Sequence, residues 1–357
     1  MTSRDKVRQA LAISPIIDGH NDWAWECRVN RGYSVEGLQH GLASDTDIAR
    51  LRAGGVGAQF WSVWVEDVVA GERAVQSTLE QIDWVYRLVA RYPDDFAIAR
   101  SATDVVEAQQ SGRIASLLGA EGAHSLNDSP AVLRMLARLG VRYLTLTHTN
   151  NTSWADSATD EPRHGGLSER GIRYIAELNR LGVLVDLSHV APSTMHAALD
   201  ATTSPVIFSH SSCRALSDHP RNVPDDVLAR LADNGGVIMI TFVPQFLSER
   251  FAAWAEGDMT APAPAVTISD VTDHIEHARA VAGVRHIGLG GDFDGTDMFP
   301  VGLDGVDGYP ALLDELAGRG WGVDDLAALA GGNVLRVLAE TDELFASGGD
   351  GTPALEL

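Results

Sequence analysis

A handful of side chains in this sequence can hold a cation, move a proton or clamp a carboxylate. In DGHND, His20 and Asp22 stand two residues apart, so on a strand both project from one face. An imidazole nitrogen and a carboxylate oxygen converging there suit Zn2+ or another divalent transition ion. Glu121 ends the apolar run LLGAE, where a carboxylate is costly to bury without a cation. His189 in VDLSH and His210 in IFSH repeat one design: an apolar run, a serine, then a histidine. Together His20, Asp22, Glu121, His189 and His210 make ligands for two ions sharing Glu121. Two adjacent cations can hold a bridging water and lower its pKa toward ~7, which is the chemistry of metal-assisted hydrolysis. Asp292 in LGGDFDG can carry a proton to a leaving amine, the alternative being a loop-capping aspartate. His148 in LTLTH can polarise a carbonyl or stabilise an oxyanion, or it bonds the nearby Asn150 and Asn151. Arg221, between two prolines in HPRNVP, suits a bidentate clamp on a carboxylate, with a surface ion pair to Asp225 or Asp226 as the competing reading.

These residues need a scaffold that gathers them, and the hydrophobic pattern supplies one. Apolar runs that end abruptly in polar residues occur at 14–22, 57–66, 115–122, 143–148, 184–189, 206–210, 236–243 and 286–294. Segments of helical period lie between them, among them 72–92, 168–182 and 269–283. Near-continuously apolar strands alternating with amphipathic helices predict a parallel sheet covered by helices, and eight such units predict a closed (β/α)8 TIM barrel. His20, Asp22, Glu121, His148, His189, His210 and Asp292 then all fall at C-terminal strand ends, where barrel enzymes place their sites. Two long connections, 37–45 and 246–268 with a Pro/Ala-rich hinge at 261–265, read as lid-like elements over that rim. Residues 323–345 supply closing helices. The expected organisation is one metallohydrolase domain over 1–345 and a flexible tail over 346–357.

Composition narrows the function. With 49 acidic and 27 basic residues and a formal charge of -22, the surface repels phosphate backbones, so nucleic acid and anionic membranes are poor partners. The one lysine, Lys6, lies in no motif that would serve a phosphate loop, a pyridoxal Schiff base or a carbamylated metal bridge. Cys27 and Cys213 fit neither a disulfide framework nor a C-x-x-C site, and read as small buried side chains. With no membrane-length apolar run and no signal-peptide pattern at the N-terminus, the default localisation is cytoplasmic.

Beyond the individual residues, DGHND, QFWSV, GAEG, LTLTHTNNTSWADS, DLSH, FSHSSCRALSDHPRNVPDD and GGDFDG occur in the order found in one family. Over nearly its whole length the sequence resembles the membrane-dipeptidase (renal dipeptidase) family of zinc peptidases, in the amidohydrolase superfamily. The resemblance implies one zinc on His20, Asp22 and Glu121 and a second on Glu121, His189 and His210. It implies His148 at the substrate carbonyl, Arg221 at the substrate carboxylate and Asp292 in proton transfer. It also implies a homodimer that cleaves L-Xaa-L-Xaa and L-Xaa-D-Xaa dipeptides by attack of a metal-bridging hydroxide. Lacking the mammalian secretion signal, disulfide set and lipid-anchor tail, the chain looks like a bacterial-type soluble member. Trp64 stands where many relatives carry Tyr and Val243 where the mammalian branch has a pocket Tyr, which bears on side-chain preference and on β-lactam cleavage. The competing functions are the same cations acting on a lactone, an N-acyl amino acid or a phosphoester, and a non-catalytic metal-binding barrel. In the latter, Trp23, Trp25, Trp61 and Trp64 would form an apolar recognition surface.

Overall fold

Apolar runs with no polar alternation demand burial on both faces, and the barrel provides it. The structure is a computed structural model that describes residues 1–348 and 352–355. Its ring of strands is β1 (Ile16–Asn21), β2 (Val56–Trp64), β4 (Ile114–Glu121), β5 (Val141–Thr145), β6 (Leu184–Asp186), β7 (Val206–Ser211), β8 (Val237–Ile240) and β9 (Ile287–Leu289). Every neighbouring pair is parallel, and β9 returns to β1. β2 and β4 close the ring in a continuous register from Ala58 opposite Ala115 to Trp64 opposite Glu121. These eight strands are the eight expected runs. A ninth, β3 (Phe96–Ile98), borders the start of β4 and takes no part in the ring.

Consecutive residues divide between two cores, as a period of two requires. Phe60, Leu117, Tyr143, Leu184, Ile207 and Val237 pack in one cluster. Their neighbours Trp61, Leu118, Leu144, Val185, Phe208 and Ile238 pack in another, with the covering helices. Gly119 shows how tightly the barrel is filled, because a Cβ there would run into the Tyr143 ring. The helices expected at 72–92, 168–182 and 269–283 are Glu72–Arg91, Glu169–Leu181 and Ile268–Ala282. Ser168 caps the second through Gly171 N, and Thr267 with Asp270 forms a capping box on the third.

The long connections are less uniform than expected. The segment 37–45 has no regular structure, whereas the one after β8 begins with short helices Pro244–Leu247 and Glu249–Ala255. The closing segment divides into Val323–Ala327, a π-helical turn at Ala328–Gly332 and Asn333–Gly348. Within the expected tail, the backbone N–H of Ala354 donates to Glu177 at 2.8 Å and Leu355 is buried. Lys6 donates from Nζ to the carbonyls of Ala317 and Trp321, a structural tie between the first helix, Ser3–Ile13, and Tyr309–Gly318. Cys27 and Cys213 are both free and buried. No helix among the described residues is long and apolar enough to cross a membrane.

Candidate metal centre and active site

At the C-terminal end of the ring a cavity of about 300 Å3 is lined by Asp22, Glu121, His148, His189, His210, Arg221 and Asp292. His20 lies fully buried beneath it, its Nε2 3.3 Å from Glu121 Oε2 and 3.3 Å from Asp22 Oδ2. The other oxygen of Glu121, Oε1, lies 2.9 Å from His189 Nε2 and 3.4 Å from His210 Nε2. One carboxylate thus faces two donor sets from two sides. Asp292 Oδ1 stands 3.8 Å from His20 Nε2, and His148 Nε2 3.7 Å from Glu121 Oε1. Among the described residues, three groups bring ligand atoms within 4.8 Å of one another: His20, Glu121 and His210; Glu121, His148 and His189; His20, Asp22 and Asp292. His148, expected only at the substrate, therefore also lies within reach of a cation.

Side chains around the cluster fix which ring nitrogen is offered. Tyr143 donates its hydroxyl to Gly19 O at 3.3 Å and lies 2.9 Å from His20 Nδ1, so it accepts from that nitrogen and turns Nε2 toward Asp22 and Glu121. Ser209 donates to Asp186 at 2.6 Å and lies 2.8 Å from His210 Nδ1, an arrangement that likewise turns His210 Nε2 toward Glu121. Asp67 accepts from His148 Nδ1 at 2.8 Å. Ser62 donates to Glu121 Oε2 at 3.0 Å. None of Asp67, Ser62, Tyr143 or Asp186 was singled out by the sequence reading. Asp67 follows a strand as His148 does, but a partner 81 positions away has no local signature.

The electrostatics call for positive charge. Burial holds His189 and His210 well below the usual histidine range, helped by Arg221 and His20 respectively, so both imidazoles are neutral and able to ligate. Burial acts the same way on His20, but Tyr143, Glu121 and Asp22 overcome it and raise that ring well above its ordinary value. Burial, against the opposing charge of His20, pushes Asp292 up to about 8, with Asp22 and Glu121 adding to the rise. His20 Nε2 and Asp22 Oδ1 are buried without hydrogen-bond partners. Orphaned donor atoms, neutral imidazoles and clustered carboxylates fit divalent metal ions: separations of about 3.3–3.4 Å suit ligands sharing one tetrahedral ion.

The rim is shaped for close approach. His189 and Asp292 adopt positive φ, 68° and 62°, a strained conformation that concentrates at functional sites. Gly295 leaves the two acids their room, since a Cβ there would displace the carboxylates of Asp22 and Asp292. Arg221 is buried, donates to His210 O at 3.2 Å and lies over the Phe246 ring. Asp225 and Asp226 instead pair with His277 and His196. Likewise His148 bonds Asp67 and Thr149 rather than Asn150 or Asn151. The four tryptophans divide: Trp25 and Trp64 line the cavity with Val243, whereas Trp23 and Trp61 are fully buried in the core.

A parallel barrel with buried histidines and carboxylates at its C-terminal rim defines the class of metal-dependent barrel hydrolases. Residues 4–347 match the model of the membrane dipeptidase family, peptidase family M19. The chain belongs to that family of metallo-dipeptidases. It is 43% identical over 363 residues to the dipeptidase aclJ of Aspergillus oryzae, spanning 98% of this chain and 83% of the relative. It is 44% identical over 361 residues to an uncharacterized dipeptidase of Schizosaccharomyces pombe, spanning 96% and 85%. A metallopeptidase of Rhodobacter sphaeroides, solved with a phosphinate mimic of L-Ala-D-Ala, superposes with a TM-score of 0.82. That match covers 92% of this chain and 99% of the other at 24% identity, a likeness of fold.

Proposed function

We propose that this dipeptidase is a two-zinc enzyme acting on L-Xaa-L-Xaa and L-Xaa-D-Xaa dipeptides. The observation that carries the reading is Glu121, whose Oε2 lies against His20, itself beside Asp22, and whose Oε1 lies against His189 and His210. His20, Asp22 and Glu121 would hold one ion, and Glu121, His189 and His210 the other. When bound, such a pair supplies Lewis acidity and an activated water at neutral pH. The chain's own groups do the rest. Asp292, whose carboxyl added positive charge in the cluster would draw back to its anionic form, accepts the proton of the attacking water and passes it to the departing amine. His148, aimed by Asp67 through Nδ1, presents Nε2 to the carbonyl oxygen as charge develops there. Arg221 takes the C-terminal carboxylate in a buried, charge-assisted bond.

The tolerance for a D-residue follows from this anchoring, because Arg221 reads a charge and not a chirality. The Rhodobacter sphaeroides protein with its L-Ala-D-Ala mimic is consistent with that preference. The deciding experiment compares kcat/KM for an L,L dipeptide, its L,D and D,L isomers and its C-terminal amide. The acid should exceed the amide by roughly 30-fold or more, the equivalent of about 2 kcal/mol or more for a lost buried charge-assisted bond. The L,D isomer should be cleaved and the D,L isomer not. Equal cleavage of acid and amide would remove the Arg221 clamp, and preference for the D,L isomer would reverse the substrate's direction.

A further inference from the structure

We propose that Phe246 is a positioning residue for the carboxylate clamp: its ring, brought in by the connection after β8, holds the Arg221 guanidinium in place and stabilises its charge without occupying its donors. The inference rests on the reading of Arg221 given above and assigns the selectivity for a free carboxylate to a second element. Arg221 lines the catalytic cavity and is only 4% exposed. Its side chain donates only to neutral oxygens, His210 O at 3.2 Å and Ser211 Oγ at 3.5 Å. Asp292, Glu121 and Asp186 act on its charge, but among the described residues none of them is hydrogen-bonded or ion-paired to it. A guanidinium taken out of water needs a compensating partner. A resident carboxylate would be one, and it would also fill the fork that the substrate must enter. An aromatic face answers the charge and leaves the N–H groups free. Arg221 Cζ lies 5.1 Å from the centre of the Phe246 ring, within the range of that attraction.

Further contacts fix the ring relative to the arginine. Asn222, the residue after Arg221, donates from Nδ2 to Phe246 O at 2.7 Å and to Ser217 O at 2.8 Å. The His219 ring packs against Phe246 with centroids 4.6 Å apart, and its Nδ1 accepts from the backbone N–H of Arg221 at 3.2 Å. Burial, with Arg221 and Arg214 adding to it, holds the His219 pKa down at about 4, so the ring stays neutral and keeps that lone pair. A cationic ring there would repel the guanidinium. These contacts tie the loop after β7, which carries the clamp, to the short helix Pro244–Leu247, which carries the ring. Within that helix the two apolar neighbours divide their work. Leu247 joins the hydrophobic core, whereas Phe246 belongs to no core cluster, is half-buried and lines the cavity with Val243 and Gln245.

The test is the ratio of kcat/KM for L-Ala-L-Ala to that for its C-terminal amide, measured on zinc-loaded protein. Phe246→Leu keeps an apolar side chain but removes the aromatic face, and the ratio should fall about fivefold, through KM for the acid. Phe246→Tyr keeps the face and should hold the ratio within about twofold. In an Arg221→Gln background, Phe246→Leu should lower the ratio no further, since the ring acts through the guanidinium. A structural role alone would depress acid and amide together. An unchanged ratio in Phe246→Leu therefore overturns the proposal, as does an equal fall in Phe246→Tyr or a further fall in the Arg221→Gln background. If the unaltered protein cleaves acid and amide equally, the clamp itself fails and the ring's role falls with it. If it cleaves neither, the dipeptidase reading fails, and calorimetric titration with Ala-Ala decides the ring's role alone. Binding must then weaken about fivefold in Phe246→Leu and persist in Phe246→Tyr, and equal binding by both variants, or none by the unaltered protein, overturns it.

Discussion

Asp67 aims His148. Burial pushes the Asp67 carboxyl up, and the bond to His148 more than reverses this, leaving it below its usual value and anionic. Asp67→Asn keeps the shape but removes the charge, so kcat should fall about 10- to 100-fold with a much smaller change in KM. A loss confined to KM would mean that Asp67 helps hold ground-state substrate. The contrast between His148 and Asp67 also shows what a sequence reveals at this scale. His20, Glu121, His148, His189 and His210 are legible because each interrupts or ends an apolar run, where a polar side chain needs a reason. Asp67, Tyr143 and Asp186 do their work through contacts with residues distant in sequence. Their local surroundings are those of an ordinary loop aspartate, core tyrosine and strand-end carboxylate. Ser209 was visible as the serine in IFSH, but its bond to Asp186 was not.

Helix Ile268–Ala282 carries a second buried histidine system. The backbone N–H of Cys213 donates to His274 Nδ1 at 3.0 Å, and Nε2 lies 3.3 Å from Leu247 O. Burial lowers the pKa of His274 to about 4, well below the ordinary 6.5, and a proton on Nδ1 would oppose the Cys213 N–H. Above pH 6.5 both folded and unfolded chains carry a neutral ring. As pH falls below 6.5 the unfolded chain gains a proton that the folded one cannot take until about pH 4, so stability declines through that window. By pH 5 the loss is about 2 kcal/mol, at 1.36 kcal/mol per pH unit. Urea denaturation of the unaltered protein and His274→Gln at pH 7 and pH 5 should show the unaltered protein losing that much more. Parallel losses would mean that His274 titrates normally. The long helices were readable because their apolar stripes recur over several turns. β3 was not, because three residues, Phe96–Ile98, give no period to detect, and the helices after β8 are too short for one.

For the whole molecule, barrel closure is what turns scattered residues into a site. Glu121 reaches the rim because β4 pairs with β2 on one side and β5 on the other. His189, His210 and His20 reach it from elsewhere around the same ring. The formal charge of -22 adds long-range attraction for metal cations that salt should weaken. The sequence legibly set the ring and the rim, because strand order and the C-terminal placement of polar residues follow from pattern. It could not show Asp67 behind His148 or Tyr143 behind His20, contacts that form only once the ring has closed. The central claim is that Glu121 is shared by two ions. Metal analysis of the unaltered protein, His20→Ala and Glu121→Ala after equilibration with zinc tests it most directly. Two ions per chain are expected in the unaltered protein, about one in His20→Ala and well under one in Glu121→Ala. A fully active enzyme with a single ion per chain, or a Glu121→Ala variant that keeps both, would contradict it.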